Sequence, residues 1–133
     1  MTNVRRILVV DDEPSIGKAL KMGLSSSEVE VDVAESGSKG VELGTQKHYD
    51  VLIADLCLPD IGGLEMIEKI KSCCPEIVSI VITGNPDRES SMEATSQGVN
   101  SYLEKPLDMK SLKNAIKLGL ERREQRQKQS IEE

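Results

Sequence analysis

The stretch Ile7-Leu8-Val9-Val10-Asp11-Asp12-Glu13-Pro14 carries the reading of the fold. Four apolar residues without alternation read as a strand covered on both faces, as strands of a parallel sheet are. Three acids follow. Then comes a proline, which suits the first turn of a helix because its missing N–H would find no partner there anyway. The same grammar recurs in Val51-Leu52-Ile53-Ala54 before Asp55, and from Ile77 to Ile82 before Thr83-Gly84. Val29-Glu30-Val31-Asp32-Val33 alternates instead, as a half-exposed edge strand should. Ser101-Tyr102-Leu103 is short and takes the opposite edge.

Helical patterns fill the gaps. Pro14 to Leu24 forms the first. The second carries Gly37, Gly40 and Gly44, whose backbone freedom is expected to weaken it. Leu64, Ile67, Ile70 and Cys74 share one face of the third. A fourth, over 87–97, is rich in Ser and Thr with little to bury, hence marginal and easily moved. Asp108 is placed to cap the last helix, whose inward stripe is Leu112, Ala115, Ile116 and Gly119. Five β-α units in succession predict a parallel five-stranded sheet with right-handed crossovers. With the alternating strand at an edge, the architecture is the flavodoxin-like (βα)5 three-layer sandwich of order 2-1-3-4-5. That domain spans residues 4–120. Residues 121–133, beginning Glu121-Arg122-Arg123-Glu124, read as a charged helical extension, linker or tail that adds nothing to the core.

The bulk numbers narrow the function. A chain of 133 residues is one domain by length, and without Phe or Trp its core must be aliphatic. A net charge of -6 argues against gripping nucleic acid or an anionic membrane by bulk charge. No apolar run approaches a membrane span and no signal-peptide core opens the chain, so a cytoplasmic location is expected. Cys57, Cys73 and Cys74 read as reduced thiols, since adjacent cysteines pair poorly and no Cys-His spacing suggests zinc. His48, the sole histidine, reads as a surface residue. Met22, Met66, Met92 and Met109 read as core filler or surface.

In such sheets, sites form beyond the carboxyl ends of the strands, at the switch point between strands 1 and 3. Asp11, Asp12 and Glu13 end strand 1, and Asp55 ends strand 3. Thr83-Gly84 ends strand 4, and Glu104-Lys105-Pro106 ends strand 5. Three aspartates from neighbouring strand ends repel one another unless a cation joins them. Oxygen-only donors favour Mg²⁺ over Zn²⁺ or Cu²⁺. A threonine hydroxyl and a lysine ammonium are the donors a phosphoryl group needs. An aspartate between metal and lysine is placed to attack phosphorus and form an acyl phosphate. Each feature alone has a plain reading as cap or turn; their joint occurrence at four strand ends of one sheet carries the chemistry.

Over Val4 to about Leu120 the sequence resembles a response-regulator receiver domain of two-component signalling. The resemblance rests on Ile7–Pro14, Val51–Gly63, Ser79–Gly84 and Ser101–Pro106. It implies that Asp55 is the phosphoacceptor, that Asp12 and Asp55 bind Mg²⁺ directly, and that Asp11 acts through a metal-bound water. The backbone carbonyl of Cys57 is the further ligand it implies. Lys105 is then expected to contact the phosphoryl group and Thr83 to hydrogen-bond it, with Tyr102 turning inward as Thr83 moves. The implied partners are a sensor histidine kinase or phosphotransfer protein, and a downstream effector domain or protein. A homodimer is expected through the face built from the 87–97 helix, the fifth strand and the last helix. Such a chain is a switch that assists its own phosphotransfer and dephosphorylation, rather than an enzyme. The charged tract after Leu120 suggests a longer regulator, and Glu104 to Asp108 resembles receivers joined to AAA+ transcription activators.

Departures from the family pattern are the glycines of the second helix and Asn100-Ser101 where an acidic pair is common, and Cys57 and Asn85 stand at positions that in the family tune phosphate lifetime. An aspartate-nucleophile phosphohydrolase is the main rival, but it needs an acid two residues after the nucleophile, where Cys57 stands. A flavodoxin-like cofactor binder would need the loop Asp11-Asp12-Glu13-Pro14 to accept phosphate, and like charge forbids it. A degenerate receiver would lack one of the site residues, and all are present.

Overall fold

The computed structural model describes residues 4–56, 58, 60–84 and 98–132. In chain order these form β1 (Arg5–Val10), α1 (Pro14–Leu24), β2 (Val29–Ala34), α2 (Gly37–Gln46), β3 (Val51–Asp55), α3 (Gly63–Cys73), β4 (Val78–Thr83), β5 (Ser101–Glu104) and a C-terminal helix (Met109–Glu132). The strands pair in parallel in the order β2-β1-β3-β4-β5. The flavodoxin-like order read from the sequence is therefore the one observed. The helix expected over 87–97 lies outside the described residues, as do Cys57, Pro59, Asn85 and Met92.

Alternate strand residues go to opposite faces, so the runs that looked uniformly apolar feed two cores. Ile7, Val9, Ile53, Ile80 and Ile82 meet Leu20 of α1 and Leu112 of the C-terminal helix. Leu8, Val10, Leu52, Ala54 and Val81 meet Met66, Ile67 and Ile70 of α3. The layers are thus helix, sheet, helix. β3 and β4 are buried throughout, whereas β2 is partly exposed, which is why only β2 alternates in sequence.

Local signals behave as read. Pro14 starts α1. Asp108 caps the C-terminal helix through Lys110 N–H at 3.3 Å and the Ser111 hydroxyl at 2.9 Å. Leu112, Ala115 and Gly119 of its stripe are buried and Ile116 is partly buried. Met66 is core and Met22 is surface.

The α2 glycines turn out to face inward. A Cβ on Gly40 would lie 2.8 Å from Met66 Sδ and from Val10 Cγ2, and one on Gly44 would lie 2.7 Å from Ile70 Cδ1. Their absence of side chain lets α2 pack closely on α3 and β1, offsetting the entropy that glycine costs a helix.

The charged tract after Leu120 continues the helix without a break, and part of it is not solvated. Arg123 is buried, donating from Nη2 to Asp50 Oδ1 at 3.1 Å and from Nη1 to the Asp50 carbonyl at 3.5 Å. Asp50 Oδ2 accepts from Arg6 N–H at 2.9 Å. Arg5 reaches the same helix through Glu124 at 2.8 Å. The sequence expectation that this tract stays off the core is corrected at Arg123, because an arginine can be buried where a carboxylate 73 residues away receives it. Arg123→Ala strands the Asp50 carboxylate. It is expected to lower the unfolding free energy by about 3 kcal/mol in urea denaturation, while Arg122→Ala, on the exposed side, changes it little.

Candidate functional site

The parallel sheet brings the carboxyl ends of β1, β3, β4 and β5 to one edge, and the sequence-selected residues that can be described meet there. Asp11 is fully buried, Asp55 is 4% exposed and Thr83 is fully buried, while Asp12 is exposed. Asp11, Asp12 and Asp55 each present a carboxylate oxygen, and these lie within 4.8 Å of one another. Lys105 Nζ enters from the end of β5, 3.1 Å from Asp55 Oδ2 and 3.3 Å from Asp11 Oδ2. The Lys105-Pro106 peptide is cis. Backbone bonds tie the edge together: Asp11 N–H donates to Ala34 O at 3.1 Å, Leu56 N–H to Ile82 O at 3.1 Å, and Lys105 N–H to Thr83 O at 2.7 Å.

Sequence reasoning gave Glu13 no role, yet its Oε1 lies 3.2 Å from Lys105 Nζ. Its place directly after Asp11-Asp12 was the available signal. Glu13 N–H also donates to Asp11 Oδ1 at 2.9 Å. Tyr102 pairs in register with Val81 and packs, partly buried, against the cluster under α3. His48 is exposed, its Nε2 3.8 Å from Asp50, and it precedes β3, at the opposite end of that strand from Asp55.

Electrostatics follow from burial. Desolvation pushes the Asp11 carboxyl up, and the Asp55 charge adds to this; the Glu13 N–H and Lys105 pull the other way without cancelling it. Burial works to lower the Lys105 ammonium, but the carboxylates of Asp55, Glu13 and Asp11 together hold it above the usual lysine range. Lys105 is therefore a fixed cation. The ligand atoms that Asp11, Asp12 and Asp55 offer are all carboxylate oxygens, a donor set suited to a hard cation rather than a soft metal.

Comparison with known proteins agrees with this geometry. The pattern of the response regulator receiver domain matches residues 7–117. The chain belongs to the response-regulator receiver domain family. It is 34% identical over 115 residues to the transcriptional regulatory protein GlrR of Escherichia coli, covering 86% of this chain and 26% of that protein. It is 31% identical over 121 residues to the response regulator ArlR of Staphylococcus aureus, covering 91% of this chain and 55% of that protein. The receiver spans about a quarter of GlrR and about half of ArlR. Among solved structures, a CheY-like receiver domain protein from Methanospirillum hungatei superposes with a TM-score of 0.89 at 29% identity, covering 93% of this chain and 99% of that one. Receiver domains serve phosphorylation-based signalling in two-component systems, and this one brings Asp11, Asp12 and Asp55 together in an acidic cluster. Among the described residues no helix is long and apolar enough to cross a membrane.

Burial and the Asp55 charge both disfavour ionised Asp11, and Lys105 at 3.3 Å and the Glu13 N–H offset them only in part, so a net penalty stays on this carboxylate. Asp11→Asn keeps the acceptor for Glu13 N–H. In EDTA at neutral pH it is expected to raise the unfolding free energy by about 1 kcal/mol; a loss of stability there would contradict that penalty.

Proposed function

We propose that Asp55 accepts a phosphoryl group from the phosphohistidine of a sensor histidine kinase or phosphotransfer protein, and that the modified receiver then controls an output. The observation that supports it best is the near-buried Asp55 carboxylate held 3.1 Å from a charged Lys105 inside an acidic cluster. An Asp55 oxygen forms the new bond to phosphorus as the P–N bond breaks, and the bonding pair returns to the imidazole, which takes up a proton. The Lys105 ammonium donates an N–H hydrogen bond to a phosphoryl oxygen, and the Thr83 hydroxyl donates a second.

The donor set fits Mg²⁺. Asp11, Asp12 and Asp55 converge to within 4.8 Å, and Asp11 Oδ2 is buried with no hydrogen bond among the described residues, 3.3 Å from the Lys105 ammonium. Those three carboxylates would hold the ion, with the carbonyl of Cys57, which lies outside the described residues, as the further ligand. Bound there, Mg²⁺ supplies the positive charge that lets an anionic phosphoryl group approach three aspartates.

The added phosphate brings a charge of roughly −1.5 to −2 and new acceptor oxygens. Thr83 and Lys105 move toward it, and Tyr102 fills the space Thr83 leaves. The surface of β5 and the C-terminal helix changes with them, together with the face expected from the 87–97 segment outside the described residues, biasing two pre-existing states. That surface is the proposed homodimer contact and the route to a downstream effector. The name of GlrR, a transcriptional regulatory protein, supports a transcriptional output, and the reading keeps the cytoplasmic location expected from the sequence. The domain limits proposed are 4–120 for the receiver and 121–133 for its helical extension. The receiver also assists hydrolysis of its own phosphate, the reverse half of a switch.

Intact-mass spectrometry after incubation with acetyl phosphate tests this. The expected result is a Mg²⁺-dependent gain of one phosphate that hydroxylamine removes and that Asp55→Asn abolishes. An adduct persisting in Asp55→Asn would place the phosphate elsewhere and overturn the assignment.

A further inference from the structure

The loop that leaves the phosphoacceptor strand is fastened to an element no site residue belongs to. Asp60 Oδ1 accepts from Gly37 N–H at 2.9 Å, and Asp60 Oδ2 accepts from Ser38 N–H at 2.9 Å and from the Ser38 hydroxyl at 2.5 Å. These partners are the first two residues of α2, which has no acidic residue in its own first turn. Asp60 thus supplies the negative charge that a helix N-terminus favours, from 22 residues away. The Ser38 hydroxyl and N–H, with Gly37 N–H, draw its carboxyl down to about 2, so it stays a charged acceptor at any working pH. A Cβ on Gly37 would run into the Ile61 side chain, so the next loop residue also seats directly on α2.

Asp60 and the helix's own cap serve different N–H groups. α2 already has a cap of its own, Ser36, whose hydroxyl accepts from Lys39 N–H at 3.1 Å. What Asp60 adds is a connection. The Asp55 strand continues into Leu56, whose carbonyl accepts from Gly63 N–H at 3.1 Å and closes the loop on itself. The Asp60 end of that loop is tied to α2. α2 follows β2, and β2 ends at Ala34, whose carbonyl holds Asp11 N–H. The two buried aspartates of the site are therefore joined by hydrogen bonds around a second route, outside the β1–β3 pairing.

We propose that Asp60 is a positioning residue for the Asp55 site: by clamping the β3–α3 loop to the N-terminus of α2, it fixes the backbone beyond Asp55 against Asp11 and preorganises the cluster for a divalent cation. The inference rests on the switch reading above and deepens it. Residues that orient a metal site without touching the ion change its affinity on the order of tenfold or more.

The test compares wild type with Asp60→Ala, Ser38→Ala and Ser36→Ala. Mg²⁺ is titrated while the amide resonances of Leu56 and Gly63 are followed, and the rate of phosphorylation by acetyl phosphate is then measured at saturating Mg²⁺. Asp60→Ala is expected to weaken Mg²⁺ binding on the order of tenfold and to slow phosphorylation, with Ser38→Ala intermediate. Ser36→Ala weakens α2 through its own cap yet leaves Mg²⁺ affinity unchanged. If Asp60→Ala proves unfolded by circular dichroism, Ser38→Ala decides. Unchanged affinity in Asp60→Ala and Ser38→Ala overturns the proposal, and so does an equal loss in Ser36→Ala, which would make the effect one of helix stability. A wild type that binds Mg²⁺ but takes no phosphate would overturn the switch reading itself while leaving the affinity comparison to decide the clamp.

Discussion

An ammonium faces three carboxylates at the carboxyl edge of the sheet, and the rest of the structure serves that imbalance. Lys105 lies within 3.3 Å of Asp11, Glu13 and Asp55. Asp12 adds its own carboxylate to the cluster. In a half-buried setting such charges interact by several kcal/mol at these distances, so the site is poised to bind positive charge or to reorganise when negative charge is added. The parallel sheet makes this possible: β1, β3, β4 and β5 all point their carboxyl ends to the same edge, and apolar runs on both faces hold those ends rigid.

Much of this was legible in the sequence because each signal was local. Continuous apolar runs at Ile7–Val10 and Val51–Ala54 announce buried parallel strands, and the alternation at Val29–Val33 announces an edge. Asp55 and Thr83 end their strands, and Asp11, Asp12 and Lys105 follow theirs within two residues. They can be picked out because the carboxyl end of a strand is a topological position, and topology follows from the order of elements.

What was not legible depends on pairs distant in the chain. Arg123 sits in a tract whose composition reads as solvated, and only the fold brings Asp50 beneath it. Gly40 and Gly44 read as weak points in a helix, since nothing local shows that Met66, Val10 and Ile70 occupy the space a side chain would need. Asp60 reads as a loop acid until α2 is found opposite it. Glu13 was visible as an acid but not as a partner of Lys105, which is 92 residues away. The common cause is that periodicity reports burial and not the identity of the partner.

The most direct measurement of the charge imbalance is the melting temperature in MgCl₂ against NaCl of equal ionic strength. It would be made on wild type and on the Asp11→Asn, Asp12→Asn double variant. If the acidic cluster is a cation site, Mg²⁺ at ten times its dissociation constant stabilises the wild type by about 1.4 kcal/mol. The double variant, with two of its carboxylates removed, shows little or none of that rise. Equal melting temperatures for the wild type in both salts, or the same Mg²⁺ effect in the double variant, would contradict the account.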